Sequence, residues 1–372
     1  MTEFNRRTLL GALGAAATLP LVPGVALAQD GPLKIGFVYI GPVGDFGWTY
    51  AHEQGRLQLV EELGDAVETT IVENVAEGPD AERIIRQLAQ DGNQLIFTTS
   101  FGYMNPTIKV AKQFPDVYFE HATGYQRADN VATYNARFYQ GRAVIGTIAS
   151  MMSETGTAGY IASFPIPEVV MGINAFTLAA RKINPDFQTN VVWVSTWYDP
   201  AKEADAARAL MDQGADMITQ HTDSPAALQA AEERGVFAFG QASDMSRFAP
   251  SAHLTAIEDH WGPYYVKRAQ AVLDGTWESS DTWTGMAEGE VVMSEYRDNV
   301  PEDVQAAALA IEAGIKELAP NQAVVITLRD VQGWSSSEVC ELLDISETNQ
   351  RVLLHRARSK LRKVLETYLR GK

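Results

Sequence analysis

Between Gly41 and Tyr50 the sequence reads GPVGDFGWTY, which places a carboxylate, Asp45, among the rings of Phe46, Trp48 and Tyr50. Five later stretches repeat the combination. SFGYMNP (100–106) supplies Phe101 and Tyr103, ASFPIPE (162–168) Phe164 and Glu168, STWYDPAKE (195–203) Trp197, Tyr198 and Asp199, TQHTDSPA (219–226) His221 and Asp223, and GQASDMS (240–246) Gln241 and Asp244. Rings stack on the faces of a planar molecule while carboxylates and amides read its polar edge, so the chemistry on offer is recognition of a planar heterocycle. The residues singled out as ligand contacts are Asp45, Phe46, Trp48, Phe101, Trp197, Tyr198, Asp223 and Asp244. The competing assignment for any one of the rings is packing inside a lobe or at a hinge.

Catalysis has little to stand on. The glycines of the first loop are not followed by Gly-Lys-Ser/Thr and do not have dinucleotide-binding spacing. There is no Gly-x-Ser-x-Gly elbow, and His52, His121, His221, His253 and His260 are scattered without metal-ligand spacing. A carboxylate pair among Asp45, Asp223 and Asp244 stays open as an alternative, because sequence does not fix their separation. The reading is a binding protein, not an enzyme, with no cofactor and no metal. The one cysteine, Cys340, rules out an internal disulfide framework.

All these stretches follow short apolar runs. LKIGFVYI (33–40), ETTIVE (68–73), QLIFTT (94–99) and VYFEHA (117–122) read as strands, and AGYIAS (158–163), NVVWVS (190–195), DMITQ (216–220) and VFAFG (236–240) restart the rhythm. Segments such as YAHEQGRLQLVEEL and KEADAARALMDQG between them carry apolar residues at helical spacing. Two successive sets of β-α units imply two doubly wound parallel-sheet lobes, whose ligands bind beyond the carboxyl ends of the strands.

The 372 residues carry a net charge of −17, which argues against nucleic acid as partner of the bulk of the chain. At the front, Arg6 and Arg7 precede a mildly apolar run that closes on Ala26-Leu27-Ala28, a pattern that resembles a twin-arginine export signal over residues 1–28. The back is the opposite of the bulk: from Thr348 to Lys372 there are eight Lys or Arg against the single acid Glu366.

IGFVYIGPVGDFGWTYAHEQGR, TTSFGYMNPTIKVAKQFPDVYFEHATGY, YNARFYQGR, SFPIPEVVMGINAF, WYDPAKEADAA, TQHTDSPA and FGQASDM together resemble the BMP (basic membrane protein) family of substrate-binding proteins of ABC importers, over roughly residues 33–316. The resemblance implies a type I periplasmic-binding-protein fold closing on a purine nucleoside or base, with an ABC permease as membrane partner and the periplasm as compartment. It implies that Asp45 contacts the base, Trp197 stacks on it and Asp244 lies near it; Trp48 as the facing ring is our own inference. Nucleoside binders of this family carry an Asp and a Lys, associated with ribose, where this chain has His121 and Trp261. A free purine base, or another planar heterocycle, is therefore the better expectation. The lobes are expected at about 32–155 plus 275–316 and at about 156–274, within a substrate-binding part spanning 29–316 that lacks the family's closing segment.

From Leu318 the chain is similar instead to region 4 of extracytoplasmic-function sigma factors, which reads the −35 promoter element. LRDVQGWSSSEVCELLDIS followed by RVLLHRARSKLR forms a helix-turn-helix over 317–372. Thr348, Asn349 and Arg351 then stand at the groove-facing end of the recognition helix, with Arg356, Arg358 and Lys360 against phosphates. Promoter DNA and RNA polymerase are the partners this implies, for that part alone, and they require the cytoplasm. A promoter reader behind an export signal points to a joined reading frame; the alternative is a ligand-responsive DNA-binding regulator.

Overall fold

The computed structural model describes residues 31–343 and 345–369. The proposed export signal lies outside them. The chain runs β1 (Leu33–Val38), α1 (Gly47–Leu63), β2 (Val67–Val72), α2 (Pro79–Gln90), β3 (Leu95–Thr98), α3 (Met104–Ala111), β4 (Tyr118–Ala122), β5 (Val131–Ala136) and α4 (Phe138–Met152). It continues through β6 (Thr157–Ala162), α5 (Pro167–Ile183), β7 (Gln188–Trp193), α6 (Pro200–Asp212), β8 (Met217–His221), α7 (Ala226–Arg234), β9 (Phe237–Ala242), β10 (His253–Asp259) and α8 (Gly262–Leu273). Two short strands, β11 (Asp281–Thr284) and β12 (Val291–Met293), precede α9 (Glu302–Lys316) and three closing helices, α10 (Pro320–Ile326), α11 (Ser336–Leu343) and α12 (Glu347–Leu369).

The strands form two six-stranded sheets, ordered β11-β5-β4-β3-β1-β2 and β12-β10-β9-β8-β6-β7. Every pairing is parallel except β10 with β12. In each sheet the order reverses beside the first strand, at β3-β1-β2 and at β8-β6-β7. Such a switch point opens a crevice at the strands' carboxyl ends.

Local chemistry sets the elements. The β1 run is buried at five of six positions, as a central parallel strand covered on both faces requires. The α2 helix opens on Gly78 at φ 92° and Pro79, carries Asp80 and Glu82 in its first turn, and buries Ala81, Ile85 and Leu88. At the head of α6 the Asp199 carboxylate accepts from Lys202 N (3.1 Å).

The chain crosses between lobes three times. After β5 it enters α4, which packs on α5 and α9; after β10 it returns through α8, which packs on α1; after β11 it leaves again for β12. This differs from the expectation that 275–316 belongs wholly to the first lobe. Val291–Met293 pairs with Asp259–Ile257 in the second sheet, and α9 follows it there. Strands β11 and β12, four and three residues long, are too short for alternation to register. Nor does the sequence pattern mark β5 and β10, whose Thr, Asn, His, Glu and Asp dilute the apolar pattern.

One buried network ties the returning segment to the first sheet. Glu120 on β4, fully buried, accepts from Tyr264 Oη (2.6 Å) and Arg268 Nε on α8 and from Trp277 Nε1 (2.7 Å) just beyond it.

The closing helices have a small core of Val325, Leu328, Val339, Leu353 and Leu354. Ser335 and Glu338 cap α11 reciprocally, Glu338 N donating to Ser335 Oγ (3.3 Å) and Ser335 N to Glu338 Oε2 (2.7 Å). The group rests on the second lobe: Tyr139 Oη and Thr327 Oγ1 are 2.6 Å apart, and Asn174 Nδ2 donates to Val331 O (3.1 Å).

Candidate functional site

At the carboxyl ends of both sheets, Ile40, Trp48, Ser100, Phe101, Thr123, Glu168, Trp197, His221, Thr222, Asp223 and Gln241 line a narrow cleft. A concave site where two lobes meet is a usual place for a small ligand. Non-glycine residues with left-handed backbone cluster at the same strand ends, Thr123 after β4, Ser195 after β7 and Ala242 closing β9. Held strain of this kind concentrates at functional sites.

Each lobe contributes one fixed indole. Trp48 donates Nε1–H to Thr99 O (2.6 Å) and is wedged edge-on by His52, Phe138 and Trp261 at ring separations of 4.3, 5.9 and 5.5 Å. Trp197 packs on Phe164 (5.1 Å), and its Nε1–H reaches across the cleft to Glu77 Oε1 (3.2 Å). The same Glu77 oxygen accepts from Ser100 Oγ (2.6 Å) and Gly102 N (3.0 Å), so the first lobe holds the second lobe's ring.

The polar edge comes mainly from the second lobe. His221 Nε2 lies 3.3 Å from Glu168 Oε1, while His221 Nδ1, Glu168 Oε2 and Thr222 Oγ1 are buried without protein partners. Burial lowers the His221 pKa, partly offset by its hydrogen bond to Glu168. A neutral ring that donates Nε2–H to Glu168 leaves Nδ1 as an acceptor. Asp223 Oδ1 accepts from Trp48 N (2.8 Å), and Gly47 N donates to Ser243 Oγ (2.7 Å), so the first amides of α1 bind groups of the opposite lobe. With the Arg247–Asp45 ion pair these bonds latch the lobes in a closed arrangement.

Burial between the lobes pushes the Asp223 carboxyl up to about 7; the Trp48 N–H opposes this and nearby Glu203 adds to it. In an opened cleft the carboxyl returns toward its ordinary value near 3.8. Closure therefore takes up a proton between those values. It is fully favoured below about pH 4 and loses up to about tenfold per pH unit as pH rises toward 7, then levels off. Small-angle scattering of the ligand-free protein from pH 5 to 8 should show opening with rising pH, and Asp223→Asn should flatten the profile.

Of the eight residues singled out in the sequence, Trp48, Phe101, Trp197 and Asp223 meet in this cleft. The other four do not. Asp45 pairs with Arg247, and together with Asp244 it lines a separate groove with Glu258, Asp259 and His260. Asp244 accepts from Ser246 N (2.8 Å) as a turn cap. Phe46 packs edge-on against Phe248 (5.3 Å), and Tyr198 is partly exposed outside the cleft lining. Glu168, His221 and Gln241 were visible in the same loops, but nothing in their spacing set them above their neighbours.

His121 and Trp261 both turn inward. The His121 ring sits beside Thr98 Oγ1 (2.9 Å), its pKa pushed down to about 3 by burial, and Trp261 stacks on His52 (4.8 Å) behind Trp48. Among the described residues no group of three or more His, Cys, Asp or Glu is placed to hold a metal ion, and no helix is long and apolar enough to cross a membrane.

In the closing helices, Thr348, Asn349 and Arg356 are exposed on α12, and Arg351 pairs with Glu347 (2.5 Å). Arg358 and Lys360 are engaged internally. Arg358 Nε donates to Asp330 Oδ2 (2.8 Å) and Lys360 Nζ to Glu317 O (2.8 Å), which differs from the expectation that both face phosphates.

Two parallel α/β lobes, latched over a cleft with a ring from each and a polar edge from one, define a two-lobed solute-binding protein. Residues 33–334 match the PnrA-like substrate-binding proteins of ABC transporters (the Bmp family), and the chain belongs to that family. Residues 308–361 match sigma-70 region 4, so the two matches share 308–334 and the family match runs past the expected end at 316. The chain is 63% identical over 302 residues to a purine-binding protein of Brucella abortus (strain 2308), covering 81% of this chain and 86% of that one. It is 41% identical over 279 residues to a Haloferax volcanii protein whose name assigns it to an ABC transporter and to glucose, covering 75% and 71%. Solved solute-binding proteins of Aeropyrum pernix K1 (TM-score 0.64, 20% identity, 90% of this chain and 92% of that one) and Conexibacter woesei (0.62, 22%, 76% and 95%) share the fold.

Proposed function

We propose that this protein is the solute receptor of an ABC importer and that it closes on a free purine base between Trp48 and Trp197, performing no chemistry on it. The observation that carries the reading is an acceptor-rich wall in a cleft that two fixed indoles also line. Glu168 Oε2 and His221 Nδ1 are buried acceptors without partners, and Asp223 adds a carboxyl group to the same wall. Such an edge favours a flat ligand with several N–H donors. A free base keeps the ring N–H that glycosylation removes, which favours base over nucleoside, as do the inward-turned His121 and Trp261. Delivery to a permease and a periplasmic location after export by residues 1–28 belong to the same proposal. For the closing helices taken alone, promoter DNA and polymerase remain the proposed partners, with Thr348, Asn349, Arg351 and Arg356 as the contacts.

Titration calorimetry with adenine, guanine, hypoxanthine, adenosine and glucose tests the reading. A purine base should bind at micromolar Kd or tighter and quench Trp fluorescence, with adenosine weaker; binding of glucose and of no purine would overturn it. Trp197→Ala should weaken base binding roughly 5- to 150-fold, the effect of losing about 1–3 kcal/mol of stacking. An unchanged Kd in that variant would remove Trp197 from the site.

A further inference from the structure

Gln241 lies at the carboxyl end of β9 in the cleft wall, 5% exposed. Behind it, outside the cleft lining, the Arg142 side chain of α4 is 1% exposed. Arg142 Nη2 donates to Gln241 Oε1 and Nη1 to Thr219 Oγ1 (3.1 Å), and the guanidinium lies over the Tyr160 ring at 5.4 Å. An arginine has only donors, so the amide oxygen must be the atom turned toward it. The amide NH₂ is then the part of Gln241 left for the cleft. Strand β9 is held tightly at this point: a Cβ on Gly240 would stand 2.7 Å from Ala256 Cβ and 2.9 Å from His253 Nε2. The backbone that carries Gln241 is thus closely packed, and Arg142 sets the direction of its amide.

We propose that Gln241 is a specificity-determining residue, a fixed hydrogen-bond donor to a ring nitrogen or carbonyl of the ligand, and that Arg142 is the positioning residue that sets its direction. Glu168, His221 and Asp223 supply acceptors, so the ligand class is one that presents a hydrogen-bond acceptor between N–H donors on its edge. A donor locked in place discriminates more sharply than a rotatable one, because a ligand with the wrong edge leaves both partners unpaired in a dry site.

This inference rests on the cleft being a purine site, and the experiment separates the two. Calorimetry on the wild-type protein compares its preferred purine with the 1-deaza, 3-deaza and 7-deaza analogues and, if the preferred base is an oxopurine, with its 6-deoxo analogue. One analogue, lacking the accepting atom, should bind ten- to hundredfold more weakly. Gln241→Glu keeps Arg142 paired while making the position acceptor-only, and should weaken the parent purine by a similar factor and erase the difference between it and the sensitive analogue. Arg142→Met should narrow that difference by letting the amide rotate. If the wild type binds no purine, both readings fall. If it binds purine but tolerates every analogue, or if Gln241→Glu binds at least as well as wild type, the donor role alone is overturned. An unchanged analogue preference in Arg142→Met removes the positioning role.

Discussion

Gly47→Ala should weaken ligand binding roughly 30- to 900-fold while leaving both lobes folded. Gly47 begins α1 at φ 76°, a backbone region that costs an L-residue roughly 1–2 kcal/mol. A Cβ there would lie 2.6 Å from Asp223 O and 3.1 Å from Asp223 Oδ1, both on the opposite lobe. Backbone cannot yield as a flexible side chain does, so relief comes from the lobes moving apart. Parting them breaks Gly47 N to Ser243 Oγ and Trp48 N to Asp223 Oδ1. Two such bonds, one to a carboxylate, contribute about 2–4 kcal/mol in total. That corresponds to a roughly 30- to 900-fold loss, while the positive-φ strain falls on open and closed forms alike, as it does in the control below. Gly44→Ala is the matched control: Gly44 also has positive φ (49°), but its nearest atoms are the Phe46 ring at 3.9 Å. Calorimetry should show wild-type-like binding in the control and little in Gly47→Ala, with scattering profiles of an open molecule. Equal binding by the two variants would mean that Gly47 does not govern closure.

The contrast between these glycines marks what sequence conveyed and what it withheld. GPVGDFGWTY showed a glycine-rich turn into a helix bearing rings and an acid, and Trp48 lines the cleft from the start of that helix. That Gly47 faces Asp223 rather than solvent depends on a contact 176 positions along the chain, which no local pattern encodes. For the same reason Asp45 looked like the ligand acid, being nearest the rings in sequence, while Arg247 from the other lobe claims it. Two-lobed organisation was legible because eight of the strands fall in short runs with apolar residues bounded by turn residues. The last crossing was not, since β11 and β12 are defined by their partners rather than by their own residues. The helix-turn-helix was legible from its caps and apolar spacing. Its docking on Tyr139 and Asn174, and the engagement of Arg358 and Lys360 by Asp330 and Glu317, follow from what it is joined to.

Glu120→Ala should destabilise the protein by about 3–5 kcal/mol, the usual cost of removing one member of a buried ion pair. In VYFEHA the acid looks like an exposed position of an alternating strand, yet it is fully buried and holds three donors from the segment that returns from the second lobe. Burial raises its pKa against the opposing charge of Arg268, so the site is strained toward neutrality even while paired. Without the carboxylate, Arg268 is left in a dry environment with the Glu278 carbonyl and the face of Trp277 (4.8 Å), while Tyr264 and Trp277 lose their acceptor. Thermal unfolding followed by circular dichroism should show a fall in Tm on the order of 10 °C at roughly 2–4 °C per kcal/mol. Glu120→Leu combined with Arg268→Met should recover most of that loss, because an apolar pair of similar volume removes the uncompensated charge. The comparison also bears on function, since α8 carries the chain out of the hinge and packs on α1, whose first turn makes the latch. Ligand affinity should therefore fall in Glu120→Ala and return in the double variant. If the double variant is no more stable than the single, Arg268 is not what makes the loss of Glu120 costly.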